Sequence, residues 1–292
     1  IPILMPLHQS LAANQIESIV GILNGTTNYI LSQMTETGVN YANALADAQK
    51  QGFAEADPTN DVCGFDAARK LAILSSIGFR ANVTFDDVLV EGIEKIDKSD
   101  IQYAKDMGYT IKLLTVALRQ ENGIALNVYP AFLPDNHPLS SVKGAYNAIY
   151  VTGNIVDDVM FYGRGAGALP TASAVMGDVI STAQHILNGS TGTGMIMTDT
   201  KRIPFYSSLK LQNSYYFRLD VDDVTGVLSQ IAAAFAENDI SICEVVQKRK
   251  TKGLAELVLI TELASRESIL QVEKALQVLP CMRKVANVIR VM

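Results

Sequence analysis

Four carboxylates stand within twelve residues, and a lysine follows them on the same stretch of chain. The stretch is GFAEADPTNDVCGFDAARK, residues 52–70, and its candidate groups are Glu55, Asp57, Asp61, Asp66 and Lys70. Clustered acids suit the ammonium group of a small zwitterionic substrate, because hydrogen bonds between charged groups are strong. A lysine beside them can exchange a proton with an oxygen of the same substrate. The residue types therefore indicate proton-transfer chemistry on an amino acid.

The lysine lies on a predicted helix over residues 64–78, GFDAARKLAILSSIG, which has a glycine at each end. At 100° per residue, Asp66, Lys70, Ile73 and Ile77 share one stripe of this helix. Because the stripe continues as isoleucine, we expect the ion pair to face the interior, where leaving one partner unmatched costs about 3–5 kcal/mol. The alternative is a surface ion pair, worth roughly 0–1 kcal/mol.

Two other chemistries use clustered acids. A calcium-binding EF-hand loop starting at Asp57 would need glycine where Val62 stands and glutamate where Ala68 stands, so that pattern fails. Glycoside hydrolysis by paired carboxylates is compatible with the spacing. It gives Lys70 no role, however, so a zwitterionic substrate fits the whole stretch better.

Composition predicts a folded protein with a large core. The chain has 292 residues, a formal net charge of −6, 48% hydrophobic and 18% charged residues, which favours about two domains and argues against disorder. No Lys/Arg cluster is broad enough to follow a phosphate backbone, so we expect no nucleic-acid partner. No apolar run approaches the roughly 20 residues of a membrane span. Three cysteines without a CxxC pair predict a reduced, cytoplasmic protein, and scattered histidines predict no metal site.

Helices and hairpins alternate over the first 200 residues. IPILMP at the start reads as a strand, and residues 17–25 form a predicted strand that leads into a helix capped by Thr26. Predicted hairpins span residues 111–132 and 147–163. Because hairpins stand between helices, the pattern predicts an α+β fold with a mixed sheet and flanking helices.

The pattern changes after a Gly/Ser/Thr-rich stretch at residues 188–200, which we interpret as a linker. Beyond it, strands and helices follow in the order βαββαβ, the ferredoxin-like split arrangement. One face of its first strand carries Tyr215, Phe217, Leu219 and Val221. The sequence thus predicts two domains, over residues 1–205 and 206–292.

Four stretches resemble homoserine dehydrogenase. They are GILNGTTNYIL (21–31), GFAEADPTNDVCGFDAARKLAIL (52–74), HPLSSVKGAYNAIYVTGNIVDDVMFYGRGAGALPTASAVMGDV (137–179) and DVTGVL (223–228). The resemblance covers nearly the whole chain and implies the substrate-binding and dimerisation domain of that family, followed by an ACT domain. It also implies NAD(P)-dependent interconversion of L-homoserine and L-aspartate 4-semialdehyde, in the branch that leads to threonine and methionine.

The resemblance gives roles to the acidic stretch. Lys70 would be the catalytic proton donor or acceptor, and Asp66 would orient the lysine and touch the substrate hydroxyl. Glu55 and Asp61 would bind the substrate amino group. The sequence leaves the protonation state of Lys70 and the preferred direction of the reaction open.

Two further positions follow from the same resemblance. Gly25 and Thr26, at the end of a predicted strand, would contact substrate or nicotinamide. The family commonly has tyrosine where this chain has Phe53, so we expect any hydroxyl contact there to be lost.

The stretch GRGAGALPTA, residues 163–172, formally matches the dinucleotide pattern G-x-G-x-x-A. That pattern also needs an acidic residue about 20 positions further on, where Asn188 and the linker stand instead. By the resemblance, the stretch would instead line the nucleotide pocket. The implied cofactor-binding residues are Gly163, Gly165, Ala166 and Gly167. The main glycine-rich loop and a sodium site of the family would precede Ile1, so we expect a piece of a larger protein that is inactive alone and leaves NAD versus NADP open.

The ACT resemblance implies an amino-acid sensor, with threonine as the usual effector of the family. Its motif is Asp223, Gly226, Val227 and Leu228. Gly226 opens a predicted helix, where free backbone N–H groups could meet a ligand carboxylate. The alternative is a unit that only dimerises, and an open sheet edge favours a homodimer or homotetramer. For the whole chain, the competing hypothesis is an amino-acid-binding regulatory fragment without catalysis.

Overall fold

The structure, a computed structural model, describes residues 1–190, 203–251 and 253–292. The strands of the N-terminal unit are β1 (Ile16–Ile22), β2 (Leu89–Val90), β3 (Tyr109–Gln120), β4 (Gly123–Pro134), β5 (Tyr146–Gly153) and β6 (Asp157–Arg164). Its helices are α1 (Gly25–Thr37), α2 (Tyr41–Lys50), α3 (Thr59–Val62), α4 (Phe65–Phe79), α5 (Lys98–Asp106) and α6 (Ala168–Leu187). The C-terminal unit consists of β7 (Gln212–Asp222), α7 (Val227–Ala236), β8 (Ile242–Thr251), β9 (Leu254–Thr261), β10 (Ala264–Ser265), α8 (Arg266–Gln277) and β11 (Met282–Val291).

One mixed sheet runs through both units in the order β6-β5-β1-β3-β4-β11-β7-β9-β8, while β2 and β10 pair beside β4 and β7. The units meet where β11 runs parallel to β4, with Arg290 opposite Ala131 and Val291 opposite Phe132. The predicted α+β class and the ferredoxin-like order of the C-terminal unit are confirmed. The boundary between residues 205 and 206 stays a prediction.

Three local expectations were wrong. IPILMP is not a strand, because a short helix begins at Pro6, a residue whose fixed φ suits a first helical turn, and it buries Leu7. Thr26 lies inside α1 rather than capping it. Gly78 does not end α4, which continues to Phe79. A Cβ at Gly78 would lie 2.8 Å from Ile19 Cδ1, so the glycine serves close packing of α4 on β1.

Three apolar clusters of described residues hold the sheet. The largest lies between β1, β3, β4 and helices α1, α4 and α5, and the second lies between the C-terminal strands and helices α7 and α8. The third lies on β1, β3, β4 and β5, with Leu139 and Val142 beside them. Most of the predicted linker, residues 191–200, lies outside the described residues. No helix in the described part of the chain is long and apolar enough to cross a membrane.

A buried charge cluster joins the two units and is called here the Arg218 cluster. Arg218 on β7 forms ion pairs with Asp100 of α5 (2.8 Å), with Asp97 before that helix and with Glu256 of β9 (3.4 Å). The side chains of Arg218, Asp100 and Glu256 are only 6%, 0% and 7% exposed. Asp100 also accepts hydrogen bonds from the Tyr216 hydroxyl (3.2 Å) and the Asn287 amide (2.8 Å). The cluster therefore ties α5 to three C-terminal strands.

The segment after β2, residues 91–96, lies between β11 and the turn that joins α3 to α4. Glu91 accepts a hydrogen bond from Arg290 of β11 (3.0 Å). Two residues further on, the Ile93 N–H donates to the Val62 carbonyl (2.9 Å). A Cβ at Gly92 would lie 2.4 Å from that carbonyl oxygen, so only glycine allows this approach. The C-terminal unit is thus linked by direct contacts to the segment that carries the acidic stretch.

Candidate active site

β1 leads into α1 through Leu23 and Asn24. The side-chain Oδ1 of Asn24 accepts hydrogen bonds from the N–H (2.8 Å) and the hydroxyl (3.0 Å) of Thr27. Asparagine is a stronger helix cap than threonine, which explains why α1 begins before Thr26. A Cβ at Gly25 would lie 2.9 Å from the carbonyl oxygen of the loop before β5, so this helix end needs glycine to pack there.

The amide of Asn24 joins two carboxylates of the acidic stretch. Its Nδ2 donates to Asp61 Oδ1 (2.6 Å) and to Asp66 Oδ2 (3.0 Å). Asp61 lies on α3 and Asp66 in the first turn of α4, with Gly64 between them at φ +84°. Glycine adopts this left-handed conformation without strain. The turn therefore presents both carboxylates to one amide.

Lys70 completes the group. Its Nζ donates to Asp66 Oδ2 (2.6 Å) and to the carbonyl oxygen of Leu23 (3.2 Å). Both residues of the predicted i, i+4 pair are thus in contact, and the backbone of the β1–α1 junction holds the ammonium from a second side. The arrangement therefore brings one lysine, two carboxylates and one amide together.

The expectation that this stripe of α4 faces the interior was wrong for its first three members. The Lys70 and Asp66 side chains are 49% and 33% exposed, and Ile73 is 53% exposed, whereas Ile77 is buried. The helix is buried instead through the neighbouring face, whose members are Ala67, Ala68, Leu71 and Leu74. Because small alanines bring that face close to the sheet, the Asp66–Lys70 stripe is left at the open edge.

A cavity of ≈ 250 Å³ adjoins Lys70. Its lining residues are Ile1, Ile3, Leu4, Leu23, Lys70, Ile73, Leu74, Asn147, Ile149 and Gly165. The wall is mostly aliphatic and carries few polar groups, which is typical of small-molecule sites. An apolar space beside a lysine can accept a flat ring.

The glycine-rich stretch reaches the same cavity. Gly163 pairs with Asn147 across β6 and β5. A Cβ at Gly165 would lie 2.3 Å from Asn147 Oδ1, so glycine is required where the chain passes Asn147. Ala166 and Gly167 follow on the exposed turn before α6, where Gly167 has φ +124°. Of the four predicted cofactor residues, the structure brings Gly165 to the cavity wall and places the last two outside it.

Thr26 and Glu55 belong to the margin of the site. The Thr26 hydroxyl donates to the Phe53 carbonyl (2.6 Å), which holds the loop between α2 and α3 against α1. Glu55 is exposed on that loop, and its backbone oxygen accepts a hydrogen bond from the Gln49 side chain (3.1 Å). The structure therefore gathers Asp61 with the Asp66–Lys70 pair and places Glu55 on the neighbouring loop.

A buried lysine holds the first turn of α1 against the sheet. Lys112 of β3 donates to Asn28 Oδ1 (3.0 Å) and to the Val142 carbonyl. The Asn28 amide in turn lies within 3.1 Å of the carbonyl oxygens of residues 142, 144 and 146. Burial lowers the pKa of Lys112 to about 8. These contacts keep the first turn of α1, and with it Asn24, in place.

The predicted effector residues lie at the start of α7. Gly226 caps that helix at φ +90°, with open space where a Cβ would be. The Asp223 N–H donates to the Gly253 carbonyl (3.0 Å). Val227 packs into the core of the C-terminal unit, whereas Leu228 is 45% exposed. The motif thus presents backbone and one apolar side chain to solvent.

Sequence reasoning missed Asn24 and Asn147. Asn24 carried a usable signal, because an asparagine that follows a strand and precedes a helix is a strong N-cap candidate. Asn147 carried none, since its contacts with Gly165 and the Ile22 carbonyl (2.9 Å) connect residues far apart in the chain.

The fold is a mixed-sheet α+β domain that carries a candidate active site and is followed by a ferredoxin-like unit. A family model described as homoserine dehydrogenase matches residues 2–180, and an ACT domain model matches residues 215–281. The chain belongs to the homoserine dehydrogenase family, whose members are oxidoreductases.

Relatives agree with this assignment. The homoserine dehydrogenase of Mycobacterium tuberculosis is 44% identical over 300 residues, which cover 99% of this chain and 68% of that protein. A crystal structure of a homoserine dehydrogenase from Thiobacillus denitrificans is similar over 100% of this chain and 68% of that one, with 36% identity and a TM-score of 0.93. A hyperthermophilic archaeal homoserine dehydrogenase mutant in complex with NADPH is similar over 63% of this chain and 52% of that one, with 27% identity and a TM-score of 0.52. The chain spans about two thirds of the length of the curated relatives it matches.

Proposed function

We propose that this chain binds L-homoserine and L-aspartate 4-semialdehyde and carries the proton transfer of their NAD(P)-dependent interconversion, in the branch that leads to threonine and methionine. The observation that carries the proposal is the Asp66–Lys70 pair, whose Nζ and Oδ2 atoms are 2.6 Å apart at the edge of an apolar cavity. Oxidation removes a proton from the homoserine hydroxyl, and reduction returns one to the aldehyde oxygen. Lys70 accepts that proton as a neutral amine and donates it as an ammonium.

The carboxylates divide the remaining work. Asp66 orients Lys70 through their hydrogen bond and contacts the substrate hydroxyl. Asp61, together with Glu55 of the neighbouring loop, binds the substrate ammonium. Gly25 and Thr26 form the wall at the start of α1. Because both kinds of charge stand within one site, a zwitterion can bind with each end matched.

The residues around the cavity fit the nicotinamide end of a dinucleotide. The support is the aliphatic wall beside Lys70, with Gly165 and Asn147 in the same lining. Gly165 would contact this end at the cavity wall, where Asn147 lies beside it, and Gly163, Ala166 and Gly167 would contact the dinucleotide further along the same stretch. When bound, NAD or NADP supplies or accepts the hydride at the substrate carbon; one similar protein is described in complex with NADPH.

The exposed helix α6 indicates that a further domain packs beside the cavity. None of its side chains is buried, although many are apolar, with Leu169 and Leu187 at 82% and 85% exposed. A helix with this much exposed apolar surface normally packs against a partner. We infer that a dinucleotide-binding domain covers it and completes the cofactor site.

Regulation is the second half of the proposal. Threonine would bind at the start of α7, with its carboxylate at the free N–H groups after Gly226 and the motif residues Asp223, Val227 and Leu228 around it. The segment at residues 91–96 offers a path to the acidic stretch, since it contacts both β11 and the α3–α4 turn. An assembly of two or four copies fits the edge strand β8.

The decisive experiment replaces Lys70 in the full-length gene product. We expect Lys70→Ala to lower kcat for homoserine by about 10²–10⁴, the usual contribution of a positioned proton-transfer group. The free energy of unfolding should change by only about 0–1 kcal/mol, because the ion pair is open to solvent. Arg69→Ala is the matched control, since Arg69 is the exposed neighbour on the same helix.

Two outcomes would contradict the proposal. A kcat for Lys70→Ala within a few-fold of wild type would remove the lysine from the reaction. Homoserine binding, measured by calorimetry, without turnover in the wild-type protein would favour the regulatory fragment instead.

A further inference from the structure

Asn24 is nearly inaccessible to solvent, at 4% exposure, yet it contacts both carboxylates of the site. We propose that Asn24 is a positioning residue for the reaction. Its amide holds Asp61 and Asp66 apart and correctly turned, so that Asp61 can bind the substrate ammonium while Asp66 orients Lys70. This inference rests on the proposed function and assigns a role to a residue that touches neither substrate nor cofactor.

The geometry makes Asn24 the shared donor of the two acids. Its Nδ2 atom lies 2.6 Å from Asp61 Oδ1 and 3.0 Å from Asp66 Oδ2. An amide nitrogen carries two hydrogens, so one is available for each carboxylate. Asp66 Oδ2 also accepts from Lys70 Nζ (2.6 Å), and this oxygen therefore receives the amide and the ammonium together. A shift of the amide would move the acid that orients the lysine.

The amide can turn only one way. Its Oδ1 is occupied by the N–H and the hydroxyl of Thr27, at 2.8 and 3.0 Å. The Nδ2 must then point away from α1 and towards the acids. Because Lys112 and Asn28 hold the same helix turn against the sheet, the donor is preorganised before substrate arrives.

A neutral donor matters because two carboxylates that share a site repel each other. Without a donor between them, the two carboxylates would move apart, and Asp61 would lose its place opposite the substrate ammonium. The charged groups that face Asn24 are Asp61 on α3 and Asp66 and Lys70 on α4. Two amide hydrogens stabilise both carboxylates without adding charge, which a lysine or aspartate at this position could not do.

Capping and positioning can be separated, because serine and aspartate also cap helices well. Asn24→Ser keeps an oxygen for the Thr27 N–H but removes the donor to the acids. Asn24→Asp keeps the cap and the size but adds a third carboxylate. The matched control is Asn40→Ser, since Asn40 caps α2 through the Asn43 N–H (2.9 Å) on an exposed surface.

The test measures homoserine oxidation over a range of pH and thermal unfolding for the four proteins. We expect Asn24→Ser to lower kcat/KM for homoserine by about 10- to 100-fold, as for the loss of a hydrogen bond to a charged group. Asn24→Asp should lower it further and move the acidic limb of the kcat/KM profile to higher pH. Asn40→Ser should match wild type in activity, and the KM for the nicotinamide cofactor should change little in every variant.

Two results would overturn the inference. If Asn24→Ser and Asn40→Ser reduce kcat/KM equally, or if Asn24→Asp keeps the wild-type pH profile, Asn24 is only a helix cap. In that case wild-type turnover would still support the proposed function. Absence of homoserine oxidation by the wild-type protein would overturn the proposed function and this inference together.

Discussion

The Asp66–Lys70 pair and the Arg218 cluster use the same chemistry in opposite surroundings. Each is a cation held within hydrogen-bond distance of an aspartate, at 2.6 Å for Lys70–Asp66 and 2.8 Å for Arg218–Asp100. The first pair is 49% and 33% exposed, whereas the second is 6% and 0% exposed. An ion pair by itself therefore says little about function, and its surroundings decide what it can do.

The carboxylate of Asp100 keeps Arg218 charged in spite of its burial. Burial alone would lower the pKa of Arg218, but the hydrogen bond and charge of Asp100 outweigh it, and the pKa is raised. Burial, with the nearby Asp100, also raises the pKa of Tyr216. A cluster held in one charge state can join two units but cannot exchange protons. At Lys70 the open side leaves room for another molecule, as the proposed proton transfer requires.

The largest expected effect on stability is at the buried cation. Arg218→Met should lower the free energy of unfolding by about 3–5 kcal/mol, because it leaves buried carboxylates without their partner. Arg283→Met is the control. Arg283 is 60% exposed and binds Asp222 through two hydrogen bonds of 2.6 and 3.0 Å, so its loss should cost only about 0–1 kcal/mol. Chemical denaturation measures both, and equal losses would show that burial does not separate these pairs.

Lys112 is a buried cation that donates to an amide and a carbonyl oxygen, and it offers a second test of what burial does to a charged group. Burial lowers the pKa of Lys112 from 10.5 to about 8, so between these values the unfolded chain binds a proton that the folded protein lacks. Stability must then rise with pH in this window, by up to about 3 kcal/mol in total. Lys112→Met should lack this rise.

The measurement is the difference in unfolding free energy between wild type and Lys112→Met at pH 8, 9 and 10. Tyrosines that ionise near the upper end are common to both proteins and cancel in the difference. Parallel stability curves would mean that Lys112 is not a charged group destabilised by burial.

The smallest expected effect is at the start of α7, where Gly226 has open space around it. Gly226→Asp would place a carboxylate where the carboxylate of threonine is proposed to bind. We expect it to remove a coupling of about 1–3 kcal/mol, seen as loss of five- to 150-fold threonine inhibition. Gly226→Ala also places a side chain on a residue in the left-handed conformation, but it adds no charge. This variant should therefore keep more of the inhibition. A threonine titration of the three proteins decides, and equal inhibition in all would separate the effector site from Gly226.

Local pattern predicted much of the fold. The hairpins, the helix bearing Lys70 and the βαββαβ order all follow from periodicity and turn residues within short windows. The facing direction of α4 did not, because small alanines rather than the isoleucine stripe decided which side approached the sheet. A helical wheel counts hydrophobicity but does not measure how closely a face can pack.

The joint between the units was beyond sequence reasoning for a different reason. The strand β7 was expected to bury the face of Tyr215 and Phe217, and it does. Its other face, with Tyr216 and Arg218, is equally buried because α5 lies against it. Such contacts join residues more than a hundred positions apart. The hydrogen bond from Asn147 to the Ile22 carbonyl of β1 does the same. In the site, Asp66 and Lys70 were visible through their helical spacing, whereas Asn24 is recognised only once the two acids stand beside it.

The parallel pairing of β11 with β4 can form only at the end of synthesis of these residues. Residues 131 and 132 of β4 leave the ribosome about 160 positions before their partners Arg290 and Val291. At roughly 5–20 residues per second, the interval is about 8–30 s. During this time that end of β4 remains an open edge with buried-type residues, a template for pairing with other chains. Completion of the N-terminal sheet therefore depends on a strand made after the C-terminal helices, and the two units cannot finish folding independently.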